Sequence, residues 1–215
     1  MKLYGYWRSS AAYRVRIALN LKGLDYEVAP VHLLKDGGEQ LQAEYQAINP
    51  QGVVPALVDG DVSIGQSLAI MDYLETRYPK PPLYPQSVEA RAFAQQLALV
   101  VACDIHPLNN LRVLKYLKRT LEQGDEARND WYHHWVKGGF TAMEKLLDGR
   151  DWQGPYCLDG QVTITDACLI PQIYNARRFE IAMDEFPSLV KIEQACMELE
   201  AFRSAAPENQ VDANT

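Results

Sequence analysis

The sequence predicts an α/β domain followed by an all-helical one, and three features predict it. Short apolar strands alternate with amphipathic helices up to about residue 80. Pro79, Pro81, Pro82 and Pro85 then put four prolines into seven residues, a stretch that neither helix nor strand can cross. Beyond it the hydrophobic period becomes that of a helix and stays there. The expected organisation is therefore an α/β domain at residues 1–79, a proline-rich linker at 80–86 and a helical domain at 87–215. A chain of 215 residues is long enough for one large core or two smaller ones.

In chain order, Lys2 to Tyr6 forms a first strand, and Trp7 to Gly23 carries the helix that organises the domain. Ala11, Val15, Ala18 and Leu19 fall at i, i+4, i+7 and i+8, which buries one face and leaves Arg14 and Lys22 on a face expected to stay wet. Gly23 ends the helix as a C′ residue. Ser9 and Ser10 stand where backbone N–H groups lack partners and the helix end is partly positive. Ser9 therefore has two readings, a plain N-cap or a hydroxyl in an anion site.

Tyr26 to Val31 reads as a second strand, Lys35 to Gly38 as a loop, and Glu39 to Ala47 as a short helix. Ala56 to Val58 and Val62 to Ile64 pair as a hairpin through Asp59-Gly60-Asp61. Pro55, directly before the hairpin, marks an edge, a strand start or a cis bond. Gln66 and Ser67 open another helix, in which Ile70, Met71, Leu74 and Tyr78 share a face. Ser67 thus occupies a second helix N-terminus fit to receive a carboxylate. Strand, helix, strand, helix, hairpin, helix is the order of the thioredoxin-like fold.

Past the linker, Ala90, Ala94, Leu97, Ala98 and Val101 mark one face of a long helix that reaches beyond residue 115 and is interrupted at His106-Pro107. The bend is expected to bring His106, Asn109 and Asn110 together as a cleft wall, with His106 either structural or an aid to proton movement. A second long helix, Glu126 to Leu147, carries Trp131, Trp135, Phe140 and Met143 as core anchors. Thr163 and Asp166 match a capping box, which starts a buried helix from Ala167 to Ala176 with Arg177-Arg178 at its end. A last helix runs from Ser188 to Phe202. Ala205 to Thr215 has no apolar stripe and is expected to be a tail.

A formal net charge of −7 argues against binding to nucleic acid or anionic membranes, while a local arginine cluster can still hold a small anion. The apolar run Leu97 to Cys103 is far too short to span a bilayer, so no membrane segment is expected. Met1 leads straight into a strand pattern with no signal peptide, which predicts a cytoplasmic protein. Cys103, Cys157, Cys168 and Cys196 lie far apart without a CxxC and read as buried free thiols. The four histidines lack ligand spacing, and no metal is expected.

The run Ser9-Ser10-Ala11-Ala12-Tyr13-Arg14-Val15-Arg16-Ile17-Ala18, with Val54-Pro55 and Gln66-Ser67, resembles the zeta-class glutathione transferases, and the likeness covers nearly the whole chain. The resemblance implies the glutathione transferase fold, glutathione as cofactor and a homodimer. It implies cis–trans isomerisation of a maleyl-type dicarboxylic acid, maleylacetoacetate first, with maleylpyruvate isomerisation or conjugation of electrophiles as alternatives. Ser9 and Ser10 are the catalytic residues it implies, and Ser9 is the one that activates the thiol. Gln51, Val54, a cis Pro55, Gln66 and Ser67 would hold the rest of the tripeptide. His106, Asn109 and Asn110 are likewise assigned to the cofactor. Arg8 and Arg178 resemble the arginines that grip the substrate's two carboxylates. One departure stands out: the motif's cysteine is Ala11 here, so any role of that thiol is absent. A thiol-disulfide reductase is disfavoured because no cysteine lies near the first helix. Retention of Ser9, Gln66 and Ser67 counts against a non-catalytic binding module.

Overall fold

Leu3 and Gly5 alternate with more exposed neighbours, which makes Lys2–Gly5 a strand, β1, with its inner face on the core. In the computed structural model, which describes residues 1–213, there follow α1 (Ser10–Leu21), β2 (Glu27–Pro30), α2 (Ala43–Gln46), β3 (Ala56–Asp59), β4 (Val62–Gly65) and α3 (Ser67–Arg77). The sheet order is β2-β1-β3-β4, with β2 parallel to β1 and the other pairs antiparallel. This is the thioredoxin-like arrangement the element order predicts. Gly60, at φ +60°, makes the hairpin turn. The helix expected over Glu39 to Ala47 is divided instead, because Gln42 takes an extended backbone between a 3-10 turn at Glu39–Leu41 and α2.

The remaining elements are α4 (Val88–Leu99), α5 (Leu111–Arg119), α6 (Asp125–Asp148), α7 (Ile164–Arg178), α8 (Pro187–Met197) and α9 (Glu200–Arg203). The chain forms two units: Met1–Leu83 together with the segment that begins at Met197, and Tyr84–Cys196. That grouping corrects the expected boundary, which gave everything from residue 87 onward to the helical domain. The expected tail is not one either: Ala205, Ala206 and Asp212 are buried. Asp212 accepts the Trp7 N–H at 2.9 Å, and the Ala205 carbonyl accepts from Arg16 Nε at 2.9 Å. Asn214 and Thr215, the end of that segment, lie outside the described residues.

Within the first unit this segment changes the environment of α1. Every residue from Ser10 to Leu19 is buried, and Arg14, Arg16 and Lys22 are only 2%, 2% and 5% exposed. The expectation that Arg14 and Lys22 stay wet is therefore corrected. One side of α1 meets α3, through Arg14 to Ser67 and Lys22 to Glu75, and the other meets α9, through Tyr13 to Phe202.

In the second unit the break near Pro107 starts a turn early. Proline lacks an N–H and its ring crowds the carbonyl four residues back. The helix widens into a π-helical turn over Val100–Ile105, and the His106 N–H reaches the Val101 carbonyl, five residues back, at 2.9 Å. Phe140 and Met143 fill the core as expected, but Trp131 and Trp135 are only half buried. The capping box at α7 is present, Thr163 N–H donating to Asp166 Oδ2 at 2.7 Å. Cys157, Cys168 and Cys196 are buried free thiols, whereas Cys103 is exposed. Among the described residues no helix is long and apolar enough to cross a membrane.

Candidate functional site

On the first unit, three short segments carry the predicted residues. Ser9 is the N-cap of α1, with its Oγ accepting the Ala12 N–H at 3.2 Å. That bond uses a lone pair of the hydroxyl and leaves its proton to donate. Capping and anion binding are thus compatible on one atom. Ser10, the first helical residue, is buried behind it. Arg8, just before, lays its guanidinium 5.0 Å from the Trp7 ring centroid.

The second segment is the loop into β3. Val54–Pro55 is a cis peptide, as the resemblance implies. Asn49, which the sequence reading passed over, pins this loop: its Nδ2 donates to the Val53 carbonyl at 2.7 Å and its Oδ1 accepts the Gln51 N–H at 3.2 Å. Tyr45 adds a 2.7 Å bond to the same Val53 carbonyl. Its phenol is pushed up to about 12, chiefly by burial.

The third is the start of α3. Gln66 adopts φ +66°, a conformation that L side chains rarely take, and its Nε2 donates to Gln51 Oε1 at 2.9 Å. Ser67 follows, 6% exposed, and accepts from Arg14 NH1 at 3.2 Å. Gln51 and Gln66 are thereby joined to each other, and Ser67 to α1, by hydrogen bonds between residues far apart in sequence. Arg14 is the residue that sequence reasoning missed. Its signal was available only as a polar residue on an otherwise apolar helix, which by itself reads as a solvated position.

The donor set of this unit suits an anionic peptide: two serine hydroxyls at helix N-termini, two amides and a buried guanidinium. Glutathione, with two carboxylates and a thiol, matches it in kind.

On the second unit, Asn110 is the N-cap of α5, its Oδ1 accepting the Arg112 N–H at 3.1 Å. Asn109 is different. Both polar atoms of its side chain are buried without a hydrogen-bond partner among the described residues, a state that costs free energy until something fills it. His106 lies at the end of the π turn, half buried. Of the two arginines closing α7, Arg177 is committed to Glu193, Nε to Oε1 at 2.9 Å, while exposed Arg178 stacks 4.7 Å from the Phe179 ring centroid.

Residues 3–82 match the family described as the glutathione S-transferase N-terminal domain. The chain is 50% identical over 211 residues to the probable maleylacetoacetate isomerase of Vibrio cholerae serotype O1, covering 98% of this chain and 97% of that one. It is similar at TM-score 0.96 and 44% identity to a holo structure of maleyl pyruvate isomerase, described as a bacterial glutathione S-transferase in zeta class, over 99% of this chain and 100% of that one. A maleylacetoacetate isomerase from Methylobacterium extorquens AM1, crystallised with malonate and glutathione, gives TM-score 0.95 at 40% identity, with both chains covered fully at 100%.

Proposed function

Because the chain belongs to the glutathione transferase family, in its zeta class, we propose that it converts maleylacetoacetate to fumarylacetoacetate with glutathione as cofactor. The observation that carries this reading is Ser9 at the N-terminus of α1, its acceptor side taken by Ala12 and its proton left for a ligand. Glutathione supplies a thiol that adds, as thiolate, to the cis double bond and leaves again once rotation has occurred.

The protein's task is to make that thiol ionise and to hold the substrate. A free thiol of pKa about 8.5 is only ~3% thiolate at pH 7. Lowering it by about two units takes roughly 2.7 kcal/mol. A hydrogen bond to a charged group contributes about 1.5–3 kcal/mol and a helix terminus about 0.3–1 kcal/mol, so Ser9 with α1 suffices. Gln51, cis Val54-Pro55, Gln66 and Ser67 hold the tripeptide, and the resemblance assigns His106, Asn109 and Asn110 to the cofactor as well. Ser10 supports the start of α1. Arg8 and Arg178 are assigned to the substrate's carboxylates, which they position while opposing charge that develops on the carbonyl oxygen. The assembly is a homodimer, acting in the cytoplasm.

A second reading, maleylpyruvate as substrate, is favoured by the match to the maleyl pyruvate isomerase structure at TM-score 0.96. The test is a thiol balance during turnover. With catalytic glutathione, maleylacetoacetate is expected to yield the trans isomer while free thiol stays constant, and the same assay with maleylpyruvate ranks the two. Loss of thiol in step with substrate would make the chain a conjugating enzyme instead.

A further inference from the structure

A cavity of about 250 Å³ lies within the second unit, where the start of α4, the end of α6 and the loop before α7 meet. None of the residues lining it is assigned to glutathione or to the substrate, and roughly 20 Å of helix separates its Phe93 from His106. Phe93, Leu147, Trp152 and Leu158 give it apolar walls. The Trp152 ring is held by its own indole N–H, which donates to the Tyr156 carbonyl at 2.6 Å.

Two opposite charges, Arg150 and Asp159, line this cavity, and among the described residues they do not pair with each other. The Arg150 guanidinium sits 4.3 Å from the Phe93 ring centroid. Asp159 Oδ1 accepts the Gln153 N–H at 3.0 Å, which leaves its second oxygen open. Each charge is thus held by a neighbour other than its opposite. Water against apolar walls finds few partners, so a molecule with an apolar body gains by displacing it. A simple anion would meet the like charge of Asp159, and a simple cation that of Arg150; a zwitterion can satisfy both. The volume is below the about 300–1,000 Å³ of drug-sized sites, which suits a molecule the size of one amino acid.

We propose that this cavity is a second small-molecule site, for a free amino acid with a large apolar side chain. Arg150 takes the carboxylate, Asp159 the ammonium and the walls the side chain.

The test is calorimetry on the full chain saturated with glutathione, which fills the site on the first unit. The probes are phenylalanine, phenylpropionate, which lacks the ammonium, and phenethylamine, which lacks the carboxylate. Wild type is expected to bind phenylalanine about tenfold tighter than either analogue. Arg150→Met should weaken phenylalanine and phenylpropionate and leave phenethylamine unchanged. Asp159→Asn, which can still accept the Gln153 N–H, should weaken phenylalanine and phenethylamine and leave phenylpropionate unchanged. Thermal melts and isomerase turnover, unaltered in both variants, serve as controls for folding. Failure of phenylalanine to bind at millimolar concentration, equal affinity for all the probes, or affinities that neither substitution alters overturns the proposal. Phenylpropionate binding as tightly as phenylalanine makes the cavity an anion site and refutes the amino-acid reading. Should Arg150→Met fail to fold, Arg150→Gln takes its place with the same expectation, and the ranking of the probes on wild type decides without any variant.

Discussion

Ser9 has two tasks on one oxygen, and its replacement separates them by size. Ser9→Ala removes a cap worth about 1 kcal/mol, a modest fall in melting temperature. It also removes the hydrogen bond to a thiolate, for which we expect turnover to fall about 10–100-fold at neutral pH. The two effects differ in pH dependence. If the hydroxyl acts on the thiol, the variant recovers activity as pH rises toward the ordinary thiol range, and the ultraviolet thiolate absorbance of bound glutathione appears at higher pH than in wild type. Turnover unchanged at pH 7 would remove Ser9 from the mechanism. Tyr45, beside the cis Pro55 loop, gives a second residue-scale test. Its folded value of about 12 lies above the ordinary 10.0 because burial disfavours the phenolate. The fold therefore keeps a proton that the unfolded chain loses. That contribution is complete below pH 10 and disappears as pH rises through about 12. Unfolding free energy should fall more gently over that interval in Tyr45→Phe, as denaturant titrations at several pH values would show.

Two helices show what holds elements together. At the end of α1, Lys22 Nζ meets Glu75 at 2.8 Å, the Tyr78 carbonyl at 2.7 Å and the Pro81 carbonyl at 3.0 Å, while Glu75 also accepts the Leu83 N–H at 2.9 Å. One buried cation thus ties α1, the end of α3 and the start of the proline-rich stretch. Lys22→Met should lower stability by about 2–3 kcal/mol, less than a fully buried pair because the Glu75 side chain keeps 15% of its exposure. At α7, Asp166 receives the N–H groups of Cys157 and Thr163, and burial pushes its carboxyl up from its ordinary value although these bonds pull the other way. Asp166→Ala leaves both donors stranded and should cost roughly 2–4 kcal/mol, measured by chemical denaturation with activity followed in parallel. The capping box at α7 was legible because a cap is local: donor and acceptor lie three residues apart. The Lys22 cluster was not, since its partners are 53 to 59 residues away.

For the whole molecule, the segment from Met197 matters more than its sequence suggests. It covers α1 with Phe202 and Ala205, and it returns Asp212 to the Trp7 N–H, next to Arg8 and Ser9. A chain ending at Cys196 should expose Arg16 and Trp7 to water, and amide exchange in α1 should accelerate while α7 keeps its protection; equal protection of α1 in both forms would show the segment to be dispensable. The sequence alone determined what depends on near neighbours. Strand and helix alternation, the hairpin at Gly60, the caps at Ser9 and Thr163 and the proline-rich stretch all follow from periods and turn chemistry within a few residues. Tertiary structure decided the rest: that Arg14 and Lys22 are buried, that Ser67 leans on Arg14, and that the last residues cover the first helix. The physical reason is that a polar side chain at a given helical position has the same local pattern whether it faces water or a distant partner, and only the packed chain supplies that partner.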